Sequence, residues 1–261
     1  MIPALLGALA IGISLGLLGS GGSILTVPVL HYLLGQPEKL AIAGSLLVVG
    51  LIAVAACIPY ARHGQVDWGK VLWFGLPGML GAWAGASLAR MVPGVLQMSL
   101  FATVMLAAAW RMLGGKPLQS SRGQSSRIAV IAGGAGVGLL SGLVGVGGGF
   151  LIVPALVLLA GVSMSGAVGT SLAIIAMNSF TGFTRSAIVL RELGLSPDWP
   201  VLLLLSAVGI LGSLLGSRLG RKLPQSTLRR LFGLFLLAMG GFIVVDVVPD
   251  LLAARSALLI P

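Results

Sequence analysis

Two glycine-rich interruptions inside long apolar stretches constrain this chain most strongly. Residues 19–28 read Gly-Ser-Gly-Gly-Ser-Ile-Leu-Thr-Val-Pro, and residues 145–154 read Gly-Val-Gly-Gly-Gly-Phe-Leu-Ile-Val-Pro. Each clustered glycine weakens a helix by roughly 1 kcal/mol. Broken backbone at membrane depth is tolerated only where protein or a watery cavity surrounds it. The repeated motif therefore predicts a duplicated membrane protein whose two breaks form a transport site.

The composition supports membrane residence. Hydrophobic residues make up 57% of the 261 residues and charged residues only 8%, whereas soluble domains carry about 25% charged residues. The net charge of +10 is typical of cytoplasmic loops that face anionic lipid, and we do not expect nucleic-acid binding. The single cysteine, Cys57, excludes an intrachain disulfide, and the sequence predicts neither a metal site nor a cofactor. The first eighteen residues lack a basic leader and a small-residue cleavage site, which favours a mature membrane segment.

Runs without charge divide the chain into two halves. We predict a first membrane repeat over residues 1–111, a cytoplasmic linker over 112–127 that is basic and rich in Gly and Ser, and a second repeat over 128–261. Besides the glycine-broken segments, each half carries three apolar runs near the ~20 residues that cross a bilayer. These six runs lie near residues 40–61, 70–90, 93–111, 164–185, 199–218 and 226–246.

The repeat extends beyond the glycine motif. Residues 44–46 match 170–172 at an offset of 126, and residues 67–68 match 198–199 at an offset of 131. We place the five-residue change in the loops around 62–69 and 185–198. The predicted fold is an all-α polytopic protein of two repeats, each with a glycine-broken segment and three transmembrane helices.

The distribution of Lys and Arg bears on topology. If all eight segments crossed, the basic residues would divide nine against seven, which gives no orientation. If each broken segment is re-entrant, with a helix to about Leu18, a glycine turn and a helix from Ser23 to Leu34 returning to the same side, they divide eleven against five. The re-entrant alternative is favoured over kinked full spans. It makes the two halves inverted repeats and predicts an inner-membrane protein with a cytoplasmic linker and both termini outside the cytoplasm.

The breaks predict an anion site. A helix begins after each break, near Ser23 and near Phe150, with unpaired backbone N–H groups and a partial positive charge at its start. Pro28 and Pro154 are expected to kink these helices. Polar side chains in the following helices either contact the ligand or form hydrogen bonds within and between helices. The sequence leaves both alternatives open. The predicted substrate-binding residues are Gly19, Ser20, Gly21, Gly22, Ser23, Ser45, Gly145, Gly147, Gly148, Gly149, Thr170, Ser171 and Asn178.

Absent motifs narrow the function. The six carboxylates are predicted in loops or at segment ends, which disfavours a cation pump or proton relay, and no catalytic arrangement predicts an enzyme. Other glycines follow small-xxx-small spacing, which predicts helix packing. They are Gly134, Gly138 and Gly142 in one run and Gly212, Gly216 and Gly220 in another.

The two Gly-rich Leu-x-Val-Pro motifs, each opening a four-segment half, resemble those of the TauE/SafE sulfite exporter family. This resemblance covers the whole chain, and it implies transport of a small sulfur-containing anion such as sulfite, sulfoacetate or another organosulfonate. By position, the site would involve residues 19–23 and 145–149. Export by a secondary transporter is the preferred interpretation; an importer of the same anions, or a membrane scaffold without flux, stays open. The oligomeric state is not predicted.

Overall fold

The chain folds into a bundle of helices. The computed structural model describes residues 2–88, 92, 94–114, 127–144, 149–192 and 194–257, and within these ranges it forms helices and turns without strands. The helices are α1 (Ile2–Leu18), α2 (Gly22–Pro28), α3 (Glu38–Arg62), α4 (Trp68–Leu88), α5 (Gly94–Leu113), α6 (Arg127–Val144), α7 (Gly149–Leu158), α8 (Met164–Glu192), α9 (Trp199–Lys222) and α10 (Gln225–Ala257). A π-helical turn, Val29–Leu33, follows α2 directly.

The six predicted spans correspond to α3, α4, α5, α8, α9 and α10. Three helices run further than expected: α8 continues to Glu192, α9 to Lys222 and α10 to Ala257. The prediction that Asp246 and Asp250 lie in loops or at segment ends is therefore corrected, because both lie within α10. Most of the predicted linker, residues 115–126, lies outside the described ranges.

Length and apolar composition identify membrane-spanning candidates. Within the described ranges, three helices meet both criteria: Lys39–Arg62, Met164–Glu192 and Trp199–Lys222. Shorter apolar helices cover Ile2–Leu18, Ala102–Leu113 and Val130–Leu140. This pattern agrees with a polytopic membrane protein.

The first broken segment is a hairpin. A Cβ placed on Gly7, near the start of α1, would lie 3.0 Å from Val29. A Cβ on Gly22, at the start of α2, would meet the carbonyl oxygen of Ile11. Early residues of α1 thus face late residues of the returning segment, so the two form an antiparallel pair. In the second half, Gly133 of α6 lies against Leu159, which follows α7.

The two returning helices respond differently to their prolines. Proline has no backbone N–H to donate within a helix, and after Pro28 the first returning helix changes from α-helical to π-helical geometry. Pro154 lies inside α7, which continues as an α-helix to Leu158. A change of helix geometry thus accompanies Pro28, whereas the kink expected at Pro154 stays a prediction.

Each half packs its first helix against the other half. Gly12 of α1 contacts Gly209 of α9, and Gly138 of α6 contacts Gly78 of α4. Residues 12 and 138 differ by the offset of 126, and residues 78 and 209 by the offset of 131, so these contacts occupy equivalent places. In both, a Cβ on the α1 or α6 glycine would collide with a carbonyl oxygen.

The small-xxx-small prediction is confirmed at most of its positions. Gly134 packs on Phe74 of α4, and Gly216 packs on Ile13 of α1. Gly212 and Gly220 contact α1 as well. Close approach of backbones explains why small residues recur there. The surroundings of Gly142 lie outside what the structure describes.

Helix α3 and its counterpart α8 pack against each other in opposite directions. Gly50 of α3 lies against Ser179 of α8, whereas Cys57, later in α3, approaches the Gly169 carbonyl, earlier in α8, at 3.8 Å. Residue numbers therefore rise along α3 as they fall along α8. These two helices, equivalent in sequence, cross near their midpoints in antiparallel fashion.

Most of the five extra residues in the second repeat lie in a helix. Both α3 and α8 begin at equivalent positions, but α3 has 25 residues and α8 has 29. Four of the five extra residues therefore extend α8, and one lies in the loop before Asp198. The prediction that the change falls in loops is wrong for these four, because an added turn continues α8 without a break.

Candidate functional site

The first break begins where α1 stops. Gly19 has a φ of +79°, a left-handed conformation that favours glycine, and its N–H closes the last turn on the Leu15 carbonyl at 2.8 Å. A Cβ at Gly19 would also crowd Ser171 Oγ at 2.7 Å. Both the backbone conformation and the close neighbour therefore require glycine at this position.

The starts of α2 and α7 come together. A Cβ built on Gly149, the first residue of α7, would stand 3.0 Å from Ser23 Oγ in the first turn of α2. Residues 23 and 149 are equivalent in the repeat, so the two halves meet here at matching positions. Ile175 of α8 packs against the same place. This junction is the candidate site.

Three predicted hydroxyl groups bond to backbone carbonyls. Ser23 Oγ donates to the Ser20 carbonyl at 2.9 Å, and Ser45 Oγ donates to the carbonyl of Ile42 in its own helix at 2.7 Å. Ser171 Oγ lies 3.0 Å from the carbonyl of Gly19 and 2.8 Å from that of Val168. These hydroxyl hydrogens stabilise the break and its neighbouring helices in the state described. Their role as ligand contacts stays a prediction.

The Thr170 side chain forms a hydrogen bond with a loop. Its Oγ1 accepts a hydrogen bond of 3.0 Å from the backbone N–H of Asp67, which precedes α4. The threonine is fully buried. This contact ties α8 to the loop between α3 and α4, so Thr170 is occupied away from the junction of α2 and α7.

Ser20 differs from the other hydroxyl residues. Its side chain is 0% exposed, and its Oγ finds no hydrogen-bond partner among the described residues. Burying an unbonded hydroxyl costs about 1–3 kcal/mol. Ser20 therefore offers an uncommitted donor within the break, between the end of α1 and the start of α2.

Asn178 lies one helix turn from the junction, at the centre of α8. Its Oδ1 is buried without a partner among the described residues, and it borders a cavity of about 20 Å³. The cavity also contacts Ile152, in the first turn of α7. The sequence placed Asn178 among candidate ligand contacts, and the structure places it beside the start of α7.

The remaining predicted positions are glycines. Gly21 lies near the Phe235 ring of α10, and Gly22 lies against α1, so both also serve packing. Gly145, Gly147 and Gly148 lie outside the described residues. Within the part of the chain that the structure describes, no cluster of His, Cys, Asp or Glu is arranged to hold a metal ion.

One stabilising residue near the break was not foreseen. Tyr60, fully buried near the end of α3, donates its hydroxyl to the Gly16 carbonyl at 2.9 Å. Gly16 is in the last turn of α1, where carbonyl groups lack helical partners. An apolar run with one tyrosine gives no signal of such a contact, because the partner lies 44 residues away.

Comparison with known proteins gives a consistent result. The family model described as "Sulfite exporter TauE/SafE" matches residues 4–243. A "Probable membrane transporter protein" of Xylella fastidiosa is 33% identical over 247 residues, covering 90% of this chain and 91% of the relative. Proteins with the same description from Haemophilus influenzae and, as YunE, from Bacillus subtilis are 29% and 28% identical. They cover 92% and 86% of this chain, and 96% and 90% of their own lengths. No solved structure matches.

Proposed function

Because this chain belongs to the TauE/SafE sulfite exporter family of membrane transporters, we propose that it exports a small sulfur-containing oxyanion across the cytoplasmic membrane. The family description names sulfite, and the break chemistry suits the oxygens of sulfoacetate and other organosulfonates as well. The observation that carries this proposal is the meeting of the α2 and α7 starts at Ser23 and Gly149.

The architecture supports an inverted repeat. Equivalent helices α3 and α8 cross in antiparallel fashion, and the α1–α9 contact is repeated as α6–α4. A two-fold relation between antiparallel spanning helices has its axis in the membrane plane, which is the arrangement of inverted-repeat transporters. With re-entrant hairpins, each half crosses three times, so the linker lies in the cytoplasm and both termini outside it.

The junction suits an anion without a cationic side chain. Backbone N–H groups at helix starts have no intrahelical partner and carry partial positive charge. The helical run from Gly22 continues through the π-helical turn to Leu33, and α7 provides ten residues on the other side. The uncommitted Ser20 hydroxyl adds a donor next to the first start. These donors match the acceptor oxygens of a sulfite or sulfonate group.

The membrane potential favours the proposed direction. With the cytoplasm negative, an anion that leaves gains about 2.3 kcal/mol per charge per 100 mV. Efflux therefore requires no coupling ion, whereas uptake of the same anion requires one. Alternating access of the two halves around the junction is the proposed mechanism.

The first experiment is anion flux in proteoliposomes under an imposed potential, with sulfite and sulfoacetate as probes. Saturable flux that rises when the potential favours anion exit supports the proposal. Flux that requires an added cation gradient would indicate an importer. Folded protein that moves neither anion, and whose melting temperature neither anion changes, would support the scaffold alternative and overturn the proposal.

A Ser20→Ala variant tests the site itself. Its loss of one donor is expected to lower flux by about tenfold, the factor that one hydrogen bond provides, while the melting temperature stays equal or rises because a buried unbonded hydroxyl is removed. Ser87→Ala is the matched control, since that exposed hydroxyl bonds only the Trp83 carbonyl of its own helix. Gly22 is a poor target, because any Cβ there would strike the Ile11 carbonyl. Unchanged flux in Ser20→Ala would remove Ser20 from the site.

A further inference from the structure

A cavity lies between α4 of the first half and α6, α7 and α8 of the second half. It has a volume of about 20 Å³, which is room for one water molecule. Glycine backbones of α4 and α6 line it, together with apolar side chains such as Phe74 and Ile174. Asn178 supplies the one polar side chain among the described residues of this lining.

Asn178 makes the cavity unlike a simple packing defect. Its buried Oδ1 finds no partner among the described residues, and a buried amide oxygen without a hydrogen bond costs free energy. Exchange of the amide oxygen and nitrogen would leave the same need, because either atom requires a polar partner. Apolar cavities stay dry, whereas a cavity of this size that offers polar partners can hold water, and Asn178 offers one such partner.

The first half fills the equivalent place. Ile52 is the counterpart of Asn178 at the offset of 126, and it is fully buried. Its Cδ1 occupies the space beside Gly209, which is the counterpart of the cavity-lining Gly78. The same glycine-lined place is therefore plugged by a hydrocarbon side chain in one half and left open beside an amide in the other.

We propose that the cavity beside Asn178 is a hydrated subsite of the transport path, and that the path runs on the α4–α6–α8 side of the molecule only. The subsite takes a water molecule in the state described. It borders Ile152, one turn after the start of α7, so this water lies next to the proposed anion site. The inference rests on the proposed transport function for its meaning, and its central test requires no substrate.

The test uses thiol accessibility. Cys57 is the only cysteine, so Cys57→Ala gives a cysteine-free background, into which Asn178→Cys and Ile52→Cys are introduced separately. A small, water-soluble methanethiosulfonate reagent reacts with thiols that water reaches. We expect the thiol at position 178 to react about tenfold faster than the thiol at position 52, because reaction requires a solvated thiolate.

Equal rates at the two positions, or reaction at neither, would overturn the proposal. Melting temperatures of both variants establish that the comparison is made on folded protein. If either cysteine variant fails to fold, Asn178→Ser and Asn178→Ile in the native background replace them. The serine variant keeps a polar group and is expected to keep flux, whereas the isoleucine variant copies the plug of the first half and is expected to lower flux about tenfold.

Ile52→Val is the matched control for these flux measurements, since it changes the plug without adding a polar group. Full flux in Asn178→Ile would overturn the proposal. The labelling contrast combined with no flux of any sulfur oxyanion would have a different meaning. It would overturn the proposed substrate class while supporting the hydrated subsite.

Discussion

The two halves of this molecule share a backbone plan but divide their polar groups differently. In the first half, hydroxyl groups lie in the break, at Ser20 and Ser23, and the middle of α3 is apolar at Ile52. In the second half, the break contains only glycine and valine, and the middle of α8 carries Asn178. The two repeats thus share their packing contacts and differ in where their buried polar side chains lie.

The shared contacts are those between glycines and opposing carbonyl groups. Gly12 on Gly209 and Gly138 on Gly78 repeat the same close approach in the two halves. At these glycines, any added side chain would push the two contacting helices apart, in either half. The divided features instead involve single side chains, which one copy can change without disturbing the other.

The largest expected effect comes from these close contacts. Gly12→Ala and Gly138→Ala should each destabilise the protein by about 1–3 kcal/mol or more, because the added methyl meets a backbone carbonyl that cannot move alone. Thermal unfolding of purified protein in detergent measures the change. If the halves are equivalent in packing, the two losses should be similar.

Gly136→Ala is the control for this pair. Gly136 lies on α6 with no neighbour within 4 Å of its Cβ position, so alanine there should be neutral or stabilising by up to about 1 kcal/mol through helix propensity. A destabilisation as large as that of Gly138→Ala would show that glycine is required for a reason other than close packing.

A smaller effect should distinguish the halves. Tyr60→Phe removes the hydroxyl that bonds the Gly16 carbonyl and should destabilise the protein by about 1–3 kcal/mol, since the buried carbonyl loses its donor. The counterpart position in the second half is Ser186, and Ser186→Ala should change stability by less than about 0.5 kcal/mol. Equal losses in the two variants would argue against a contact specific to the first half.

The smallest effect concerns Asp67, which precedes α4. Its Oδ1 accepts from the backbone N–H of Lys70 at 3.0 Å, and its Oδ2 pairs with Lys70 Nζ at 2.7 Å. Partial burial pushes the pKa of Asp67 up, but the hydrogen bonds and charge of Lys70 outweigh it and hold the pKa below its usual value. The folded state therefore favours the charged carboxylate.

The sign of the pH dependence follows from that lowered pKa. The contribution of Asp67 is complete above the unfolded pKa of about 3.9 and is lost as the pH falls through the lower folded value. Asp67→Asn keeps a good helix cap and should cost less than about 1 kcal/mol near neutral pH, because the pair is partly exposed to water. Asp198→Asn is the control, since Asp198 caps α9 through Val201 and has no lysine at that position. The difference between the unfolding midpoints of Asp67→Asn and the parent protein should be smaller at pH 3 than at pH 7, and it should shrink by more than the corresponding difference for Asp198→Asn.

Much of this architecture could be predicted from the sequence, because its causes are local or periodic. Charge-free runs located the long helices, and the glycine clusters located the places where helices stop and restart. The direction of hydroxyl groups could not be predicted in the same way. Whether Thr170 faces a ligand or the Asp67 N–H depends on a loop about 100 residues away, and no spacing rule encodes that encounter.

The ends of helices were the least predictable elements. A charged residue suggests the edge of a membrane segment, but it does not stop a helix, so α8 runs past Arg185 and α10 past Asp246. Conversely, the cavity beside Asn178 depends on the absence of a methyl group that its counterpart Ile52 provides. The sequence shows that these two residues differ, but only the packed helices show that the difference leaves a space.

The extra turn of α8 has a consequence for how the duplicated halves diverged. An α-helix advances about 100° per residue, so four added residues rotate everything beyond them by about 400°, only about 40° past a complete circle. Side chains after the insertion thus keep nearly the same angular phase around the helix. Two added residues would have turned them by about 200° and exchanged the buried and exposed faces. Growth by four residues let one copy extend this helix by about 6 Å without rewriting the identity of the residues that follow.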